Sequence, residues 1–438
     1  MLRYHVTTFG CQMNVHDSER IKGMLEAAGM GEAPDRDAAD VLVFNTCTIR
    51  EKADDRLVQH LHDARGRKER DPHLQVVVAG CWAESQRDAI FRDFPWVDAA
   101  VGPGRIRSLD HAMRGDGDAR GAFGSFDDFA ADLPQRRERD FQAWLQLSMG
   151  CNSVCSYCIV PSVRGRERSR HPREVLAEAR SLAADGVVEV MLLGQNVNSY
   201  GRDLPPSERC TFAEMLRAVD AIDGITRIRF MSPHPKDMRG DVIAAMAESE
   251  AVCEQLHLPL QSGSSRLLKR MRRTYDQARY LELVGRLREA MPDIALTTDV
   301  IVGFPGESEA DFQDTLDVYD AVGFDHAFTF IYSPRTGTEA AGFEDQVPDE
   351  VKHERLERLV EVVQRHAARR NAALVGTLQE VLSEGPSRTD QGVCRGKTRG
   401  NKTALFTPAA PAGTVVAVRV EETTSQTLRG TLESPVPA

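Results

Sequence analysis

The chain has 438 residues, 41% hydrophobic and 28% charged, enough to bury real cores over two or three domains and too globular for a disordered or fibrous protein. Lys and Arg number 55 against 66 Asp and Glu, a net charge of −11, which excludes a uniformly basic nucleic-acid binder but not a local basic patch. No stretch approaches the ~18 apolar residues that span a bilayer, and MLRYHVTTFG lacks a secretory apolar segment, so a soluble, cytoplasmic protein is expected. Nine cysteines in such a chain point to metal, cluster or catalytic roles for any that sit in a pattern, rather than to disulfides.

Residues 1–115 read as α/β with a parallel sheet. Arg3 to Thr8 is strand-like and breaks at Gly10, and a helix opening at Asp17–Ser18 aligns Ile21, Met24, Leu25 and Ala28. DVLVFNT (Asp40–Thr46) is a buried strand, Ala53, Leu57, Leu61 and Ala64 line a charged helix, and LQVVVAG (Leu74–Gly80) is a third strand. Residues 116–139, rich in Gly and Asp, read as a linker.

Residues 140–372 hold six strand candidates: Phe141–Met149, Val188–Gly194, Thr226–Met231, Gln255–Leu260, Ala295–Gly303 and Asp325–Tyr332. Helical patterns fill the gaps, and Asp349 to Ala373 is one long helix. Eight β/α units close a barrel, so six predict a partial (β/α)6 barrel. Residues 373–438 switch to short strands, near Val375–Leu382, Val393–Arg395, Ala404–Thr407, Thr414–Glu421 and Thr427–Glu433, which suggest a small β-barrel.

Cys151, Cys155 and Cys158 form CNSVCSYC at the end of the first barrel strand. Three thiolates on one loop can hold three corners of a cubane iron–sulfur cluster and leave one iron open to substrate, at the strand end where β/α barrels place their active sites. The competing reading, structural zinc, takes four closed ligands, and no fourth Cys or His lies nearby. Cys11, Cys47 and Cys81 each terminate a predicted strand, in HVTTFGC, LVFNTC and VVVAGC. Consecutive strand ends share one edge of a parallel sheet, so these three should converge as a second three-thiolate set; the alternative is three inert core thiols. Cys210, Cys253 and Cys394 show no pattern.

CNSVCSYC resembles the signature of the radical S-adenosylmethionine (SAM) superfamily, and further motifs resemble its methylthiotransferase family. These are TFGCQMN (Thr8–Asn14), NTCTIREKA (Asn45–Ala53), VAGC (Val78–Cys81), CIVPSVRGRERSR (Cys158–Arg170), LLGQNVNSYG (Leu192–Gly201), LHLPLQSGS (Leu256–Ser264), TTDVIVGFPGE (Thr297–Glu307) and FTFIYSPRTGT (Phe328–Thr338). The C-terminal barrel is similar to the TRAM RNA-binding module. Gln12-Met13-Asn14 and Asn196–Tyr200 resemble the branch acting on tRNA. Trp82-Ala83-Glu84 and Met231–Pro235 depart from the more usual family sequences without removing a ligand.

The resemblance implies a methylthio group inserted at C2 of N6-isopentenyladenosine at tRNA position 37, with two SAM per turnover. The alternatives are threonylcarbamoyl-adenosine tRNA, a ribosomal-protein side chain, or a non-enzymatic metal-bearing RNA-binding module. It further implies two [4Fe-4S] clusters: Cys151, Cys155 and Cys158 hold the one that binds SAM and cleaves it to a 5′-deoxyadenosyl radical, and Cys11, Cys47 and Cys81 hold an auxiliary one that presents sulfur. Expected partners are the tRNA and a reductant protein such as flavodoxin or ferredoxin, with no membrane and a monomeric chain. Gly194, Gln195 and Asn196 at one strand end, and Gly303, Phe304 and Pro305 at another, are candidate SAM contacts. Three basic segments, 164–173, 266–273 and 388–402, are candidate phosphate contacts, with Arg164, Arg166, Arg388, Arg395, Lys397, Arg399 and Lys402 expected at RNA.

Overall fold

The structure, a computed structural model, describes residues 1–48, 51–114, 120–124, 126, 129 and 132–435. It divides into two compact units. The first comprises residues 1–138, 148–154 and 158–170, and the second comprises residues 139–147, 155–157 and 171–438. Among the described residues no helix is long and apolar enough to cross a membrane.

The first unit is a parallel α/β sheet. Its elements run β1 (Arg3–Phe9), α1 (Gln12–Ala27), β2 (Gly31–Glu32), β3 (Val41–Thr46), α2 (Glu51–Lys68), β4 (Gln75–Gly80), α3 (Cys81–Gln86), α4 (Ala89–Asp93), β5 (Ala99–Val101), α5 (Leu109–Arg114) and β6 (Gly121–Ala122). The strand order is β2-β1-β3-β4-β5-β6, every pair parallel. Leu42, Phe44, Val76 and Val78 pack against Leu57 and Leu61 of α2, while Val41, Val43, Val77 and Ala79 pack with Ile21 and Leu25 of α1. Helices on both faces explain why these strands are apolar throughout rather than alternating.

Two expectations for this region change. Helix α1 starts at Gln12, not Asp17, because its first turns bury polar side chains (Asn14, Asp17 and Ser18) that an apolar period cannot reveal. The segment read as a linker is partly structured: β6 adds an edge strand, the Leu133 carbonyl accepts from Arg20 Nη1 at 2.6 Å, and Glu19 accepts from Gln135 at 2.7 Å. Residues 115–119, 125, 127–128 and 130–131 of that segment lie outside the described residues.

The second unit begins with β7 (Gln142–Gln146); β8 (Ser148–Met149), α6 (Val160–Arg164) and β9 (Arg168–Ser169) belong to the first unit. The second unit continues with α7 (Pro172–Ala184), β10 (Glu189–Leu193), α8 (Phe212–Asp220), β11 (Arg227–Phe230), α9 (Gly240–Glu248), β12 (Gln255–His257), α10 (Ser265–Arg270), α11 (Gln277–Ala290), β13 (Ala295–Val302), α12 (Glu309–Val322), β14 (His326–Ile331) and α13 (Asp349–Ala372). Parallel sheets β7-β10-β11 and β12-β13-β14 are joined by a bridge between Ile228 and Val252, which makes the expected partial barrel.

Val190, Leu192, Ile228, Leu256, Leu258, Leu296, Val300 and Ala327 share one core with the surrounding helices. Strand alternation therefore turns Glu189, Arg227, Arg229, His257, Thr297, Asp299 and Phe328 to the concave inner face. The chain ends in a closed five-stranded barrel of β15 (Leu378–Pro386), β16 (Cys394–Thr398), β17 (Thr403–Thr407), β18 (Val415–Thr423) and β19 (Thr427–Pro435), in the order β15-β16-β17-β19-β18.

Candidate functional site

Strands β1, β3 and β4 are neighbours in register, with Phe9 opposite Thr46 and Thr46 opposite Gly80. Cys11, Cys47 and Cys81 thus leave the same edge of the sheet one or two residues later. Backbone closeness demands glycine at two positions here. Gly10 (φ +137°) would place a Cβ 2.5 Å from the Cys47 Cβ, and Gly80 (φ +93°) would place one 2.4 Å from Asn45 Oδ1. A buried amide network lies under the thiols: Asn45 Nδ2 donates to the Asn14 carbonyl at 2.8 Å and to Ser18 Oγ at 2.9 Å, and Asn14 Nδ2 donates to Asn45 Oδ1 at 3.2 Å.

Cys11 precedes the first turn of α1, and Cys81 is the first residue of α3, so helix N-terminal amides favour thiolate at both. A hydrogen bond with Cys47 brings the Cys11 thiol down to about 6, helped by the charge of Arg164 and the amides of Asn14 and Met13, against its burial. Burial pushes Cys81 up, and Arg164 opposes it. Buried Arg164 donates from Nε to Cys81 Sγ at 3.2 Å and from Nη2 to Asp17 Oδ2 at 2.7 Å. Among the described residues no group of three or more His, Cys, Asp or Glu is already arranged as a metal-ligand set. The donor chemistry nevertheless fits an iron–sulfur cluster: three thiols on one sheet edge, two helix N-termini and one fixed cation.

Removing Arg164 leaves Asp17 charged and buried beside Cys81. We expect Arg164→Met to destabilise the first unit by about 3–5 kcal/mol, with partial rescue by Lys, read by chemical denaturation.

Cys151, Cys155 and Cys158 lie on the loop between β8 and α6, and all three are half-buried. Within the first unit, Cys151 N donates to the Gly165 carbonyl at 3.2 Å, and the Ser153 amide donates to Cys151 Sγ at 3.4 Å. Within the second, Ser156 donates from N to the Met271 carbonyl at 3.1 Å and from Oγ to the Arg270 carbonyl at 3.0 Å. Arg273 Nη1 reaches Cys155 Sγ at 3.5 Å, and its Nε donates to the Tyr275 hydroxyl at 3.1 Å. The other cysteines differ. Burial pushes Cys253 up and Cys210 up to about 11, and Cys394 sits in the core of the small barrel.

The expected SAM contacts fare unequally. Asn196 is buried and donates to Asp237 Oδ2 at 2.7 Å, while its Oδ1 has no hydrogen-bond partner among the described residues. Gly194 and Gln195 precede it, directly after β10. The Gly303 amide is capped by Glu307 Oε2 at 2.7 Å, and Pro305 is buried in the same turn. The Phe304 ring is fully buried among Leu267, Met271, Tyr332 and Ala340 and meets Tyr157 edge-on, so what this turn offers a ligand is its backbone.

The expected RNA contacts are also partly corrected. Arg164 is buried on Asp17 and Cys81. Arg399 donates to Glu254 at 2.7 Å and to the Val252 carbonyl at 2.8 Å, and Lys402 to Asp325 at 2.7 Å and Asn371 at 2.8 Å. Lys397 Nζ donates to Thr403 at 3.0 Å, and burial lowers its pKa. Arg166, Arg388 and Arg395 are exposed, with Arg395 paired to Glu384 at 3.2 Å. In segment 266–273, Arg266 pairs with Asp311, Arg270 with Asp345 and Arg272 with Glu339, which neutralises three of its five cations.

Sequence reasoning missed an acid–base network on the barrel floor. Glu189 Oε2 accepts from Arg227 Nε at 3.0 Å and from Arg229 Nε at 2.9 Å. Arg227 continues to Glu380 at 2.6 Å, and Arg229 to the Thr398 and Arg399 carbonyls at 2.7 and 2.8 Å. The turn between β16 and β17 therefore plugs the N-terminal mouth of the partial barrel. The available signal was two arginines at i and i+2 in the strand RIRF, where one face of a strand must find acids.

Comparisons with known proteins cover the same three regions. The family model described as Uncharacterized protein family UPF0004 matches residues 3–102, the Radical SAM superfamily matches 145–319, and the TRAM domain matches 372–432. The chain is 50% identical over 428 residues to the tRNA-2-methylthio-N(6)-dimethylallyladenosine synthase of Acidothermus cellulolyticus, covering 96% of this chain and 86% of that one. It is 49% identical over 410 residues to the enzyme of the same name from Thermobifida fusca, covering 92% and 83%. A solved radical S-adenosylmethionine methyltransferase from Kitasatospora setae superposes with a TM-score of 0.54 at 15% identity, over 75% of this chain and 73% of that one, which is a likeness of fold.

Proposed function

The chain belongs to the tRNA-2-methylthio-N6-dimethylallyladenosine synthase family of radical SAM enzymes, and from that premise we propose that it places a methylthio group on C2 of N6-isopentenyladenosine at tRNA position 37. The observation that carries the reading is the convergence of Cys11, Cys47 and Cys81 at the ends of three neighbouring strands, in a chain that also bears the Cys151–Cys155–Cys158 loop.

Cys151, Cys155 and Cys158 would hold one [4Fe-4S] cluster, and Cys11, Cys47 and Cys81 a second. When bound, the first supplies reductive cleavage of SAM, and the second supplies sulfur for a carbon whose C–H is too inert for acid–base chemistry. The protein's part is positional. Gly10 and Gly80 let the thiol-bearing turns close together, Asn14 and Asn45 fix those turns, and Arg164 brings a cation to Cys81. Ser156 ties the other loop to the turn at Arg270 and Met271, and Arg273 donates to Cys155. Exposed Arg166, Arg388 and Arg395 are the remaining phosphate contacts of the expected set. A flavodoxin or ferredoxin is the class of reductant such chemistry uses, in the cytoplasm.

Anaerobic reconstitution followed by iron analysis tests the cofactor assignment. We expect about eight irons per chain, as two four-iron clusters require. Bound zinc with no release of 5′-deoxyadenosine from SAM would sink the reading.

A further inference from the structure

The inner wall of the partial barrel carries a group that the cysteine sets and the floor network leave unused. His257 ends β12, and on neighbouring strands Thr297 and Asp299 lie on β13 and His326 and Phe328 on β14, with His257 opposite Thr297, Thr297 opposite His326 and Asp299 opposite Phe328. His257 is almost fully buried. Its Nδ1 lies 3.0 Å from Thr297 Oγ1 and its Nε2 lies 3.2 Å from Asp299 Oδ2, so both ring nitrogens are occupied and the carboxylate is held in place. The Asp299 side chain nonetheless stays 26% exposed.

Phe328 is 46% exposed on the concave face of β14, the last strand of its sheet, although its neighbour Ala327 is in the core. The imidazoles of His257 and His326 meet it edge-on, with ring centroids 5.8 and 5.5 Å away, which leaves a fixed aromatic surface. Cys155 is tied to the same end of β12. Arg273, on Cys155, bonds Tyr275, whose hydroxyl donates to the carbonyls of Pro259 and Leu260 at 2.9 and 3.0 Å.

A rigid, exposed aromatic ring beside an anchored, part-exposed carboxylate suits a flat ligand with one N–H at its edge: a π-face to stack and an acceptor for the donor. We propose that Phe328 and Asp299 receive the target base, Phe328 stacking on the adenine ring and Asp299 accepting its N6–H, with His257 as a positioning residue. This rests on the reading above and adds to it where the modified adenosine lies. SAM carries an adenine too, so the experiment must separate the two sources.

In the reconstituted full-length enzyme, Phe328→Ala and Asp299→Asn are compared with the parent for KM toward tRNA bearing N6-isopentenyladenosine and for SAM dissociation constant. We expect the tRNA KM to rise about tenfold for Phe328→Ala, the scale of one lost base stack, while SAM affinity holds within about twofold. An unchanged tRNA KM, or SAM affinity falling in step, would overturn the proposal. Equilibrium dialysis with the free nucleoside N6-isopentenyladenosine gives a readout that needs no turnover: weaker binding to Phe328→Ala supports the site, and equal binding refutes it. If the parent enzyme makes no methylthio product while dialysis still discriminates the variant, the assigned reaction fails and the base site stands.

Discussion

Replacing Cys11, Cys47 and Cys81 together by Ala is expected to abolish methylthio product to background while SAM cleavage persists. The two thiol sets differ in kind. Cys151, Cys155 and Cys158 are half-buried on one loop, whereas Cys47 and Cys81 are buried at the sheet edge with Cys11 beside them. If the loop set alone carries SAM chemistry, the triple variant still releases 5′-deoxyadenosine and binds about four irons instead of about eight. Cys155→Ala should do the reverse, losing 5′-deoxyadenosine release and keeping the second set of irons. Chromatography of the nucleoside products and iron analysis read both. Methylthio product from the triple variant would remove the auxiliary role from these cysteines.

The sequence made this site legible because strands and thiols repeat in step: a strand, a cysteine, then a helix, three times over, with the second and third strands apolar. The parallel sheet followed from that pattern, and the partial barrel from six strand candidates with helices between them. It failed where a residue's partner is remote. Arg399 and Lys402 read as phosphate contacts, but Glu254 lies 145 residues from Arg399 and Asp325 lies 77 from Lys402, so no local window shows their pairing. Arg164 misled for the same reason, its partner Asp17 being 147 residues away. Helix α1 begins five residues before the start its apolar period predicts because its first turns bury Asn14, Asp17 and Ser18, and its inward face there is a hydrogen-bond network.

The second large effect is expected at the barrel floor. Glu189→Gln should lower stability of the second unit by about 3–5 kcal/mol, because it removes the buried charge that Arg227 and Arg229 share. Replacing both Glu189 and Arg229 by Met should cost less than the single change, since no unpaired charge then remains between those two positions. Burial works against the ionised Glu189, yet Arg229 and Arg227 hold its carboxyl below the usual glutamate range.

Its contribution is therefore fully present above the unfolded value of about 4.5 and is lost as pH falls through the lower folded value. Thermal midpoints from pH 7 down to 3 should show a steeper acid loss in the parent than in Glu189→Gln. Limited proteolysis should then cut the C-terminal barrel from the variant first. Equal midpoints would mean that the β16–β17 turn is not held by this network.

The most direct test of the whole account is the product itself. The reconstituted protein is incubated anaerobically with SAM, a reductant, a sulfide source and tRNA bearing N6-isopentenyladenosine, and the nucleosides are read by mass spectrometry. The expected product is that adenosine heavier by one sulfur and one CH2. An unchanged nucleoside alongside released 5′-deoxyadenosine would contradict it, and threonylcarbamoyl-adenosine tRNA and ribosomal protein would be the substrates to take up in its place.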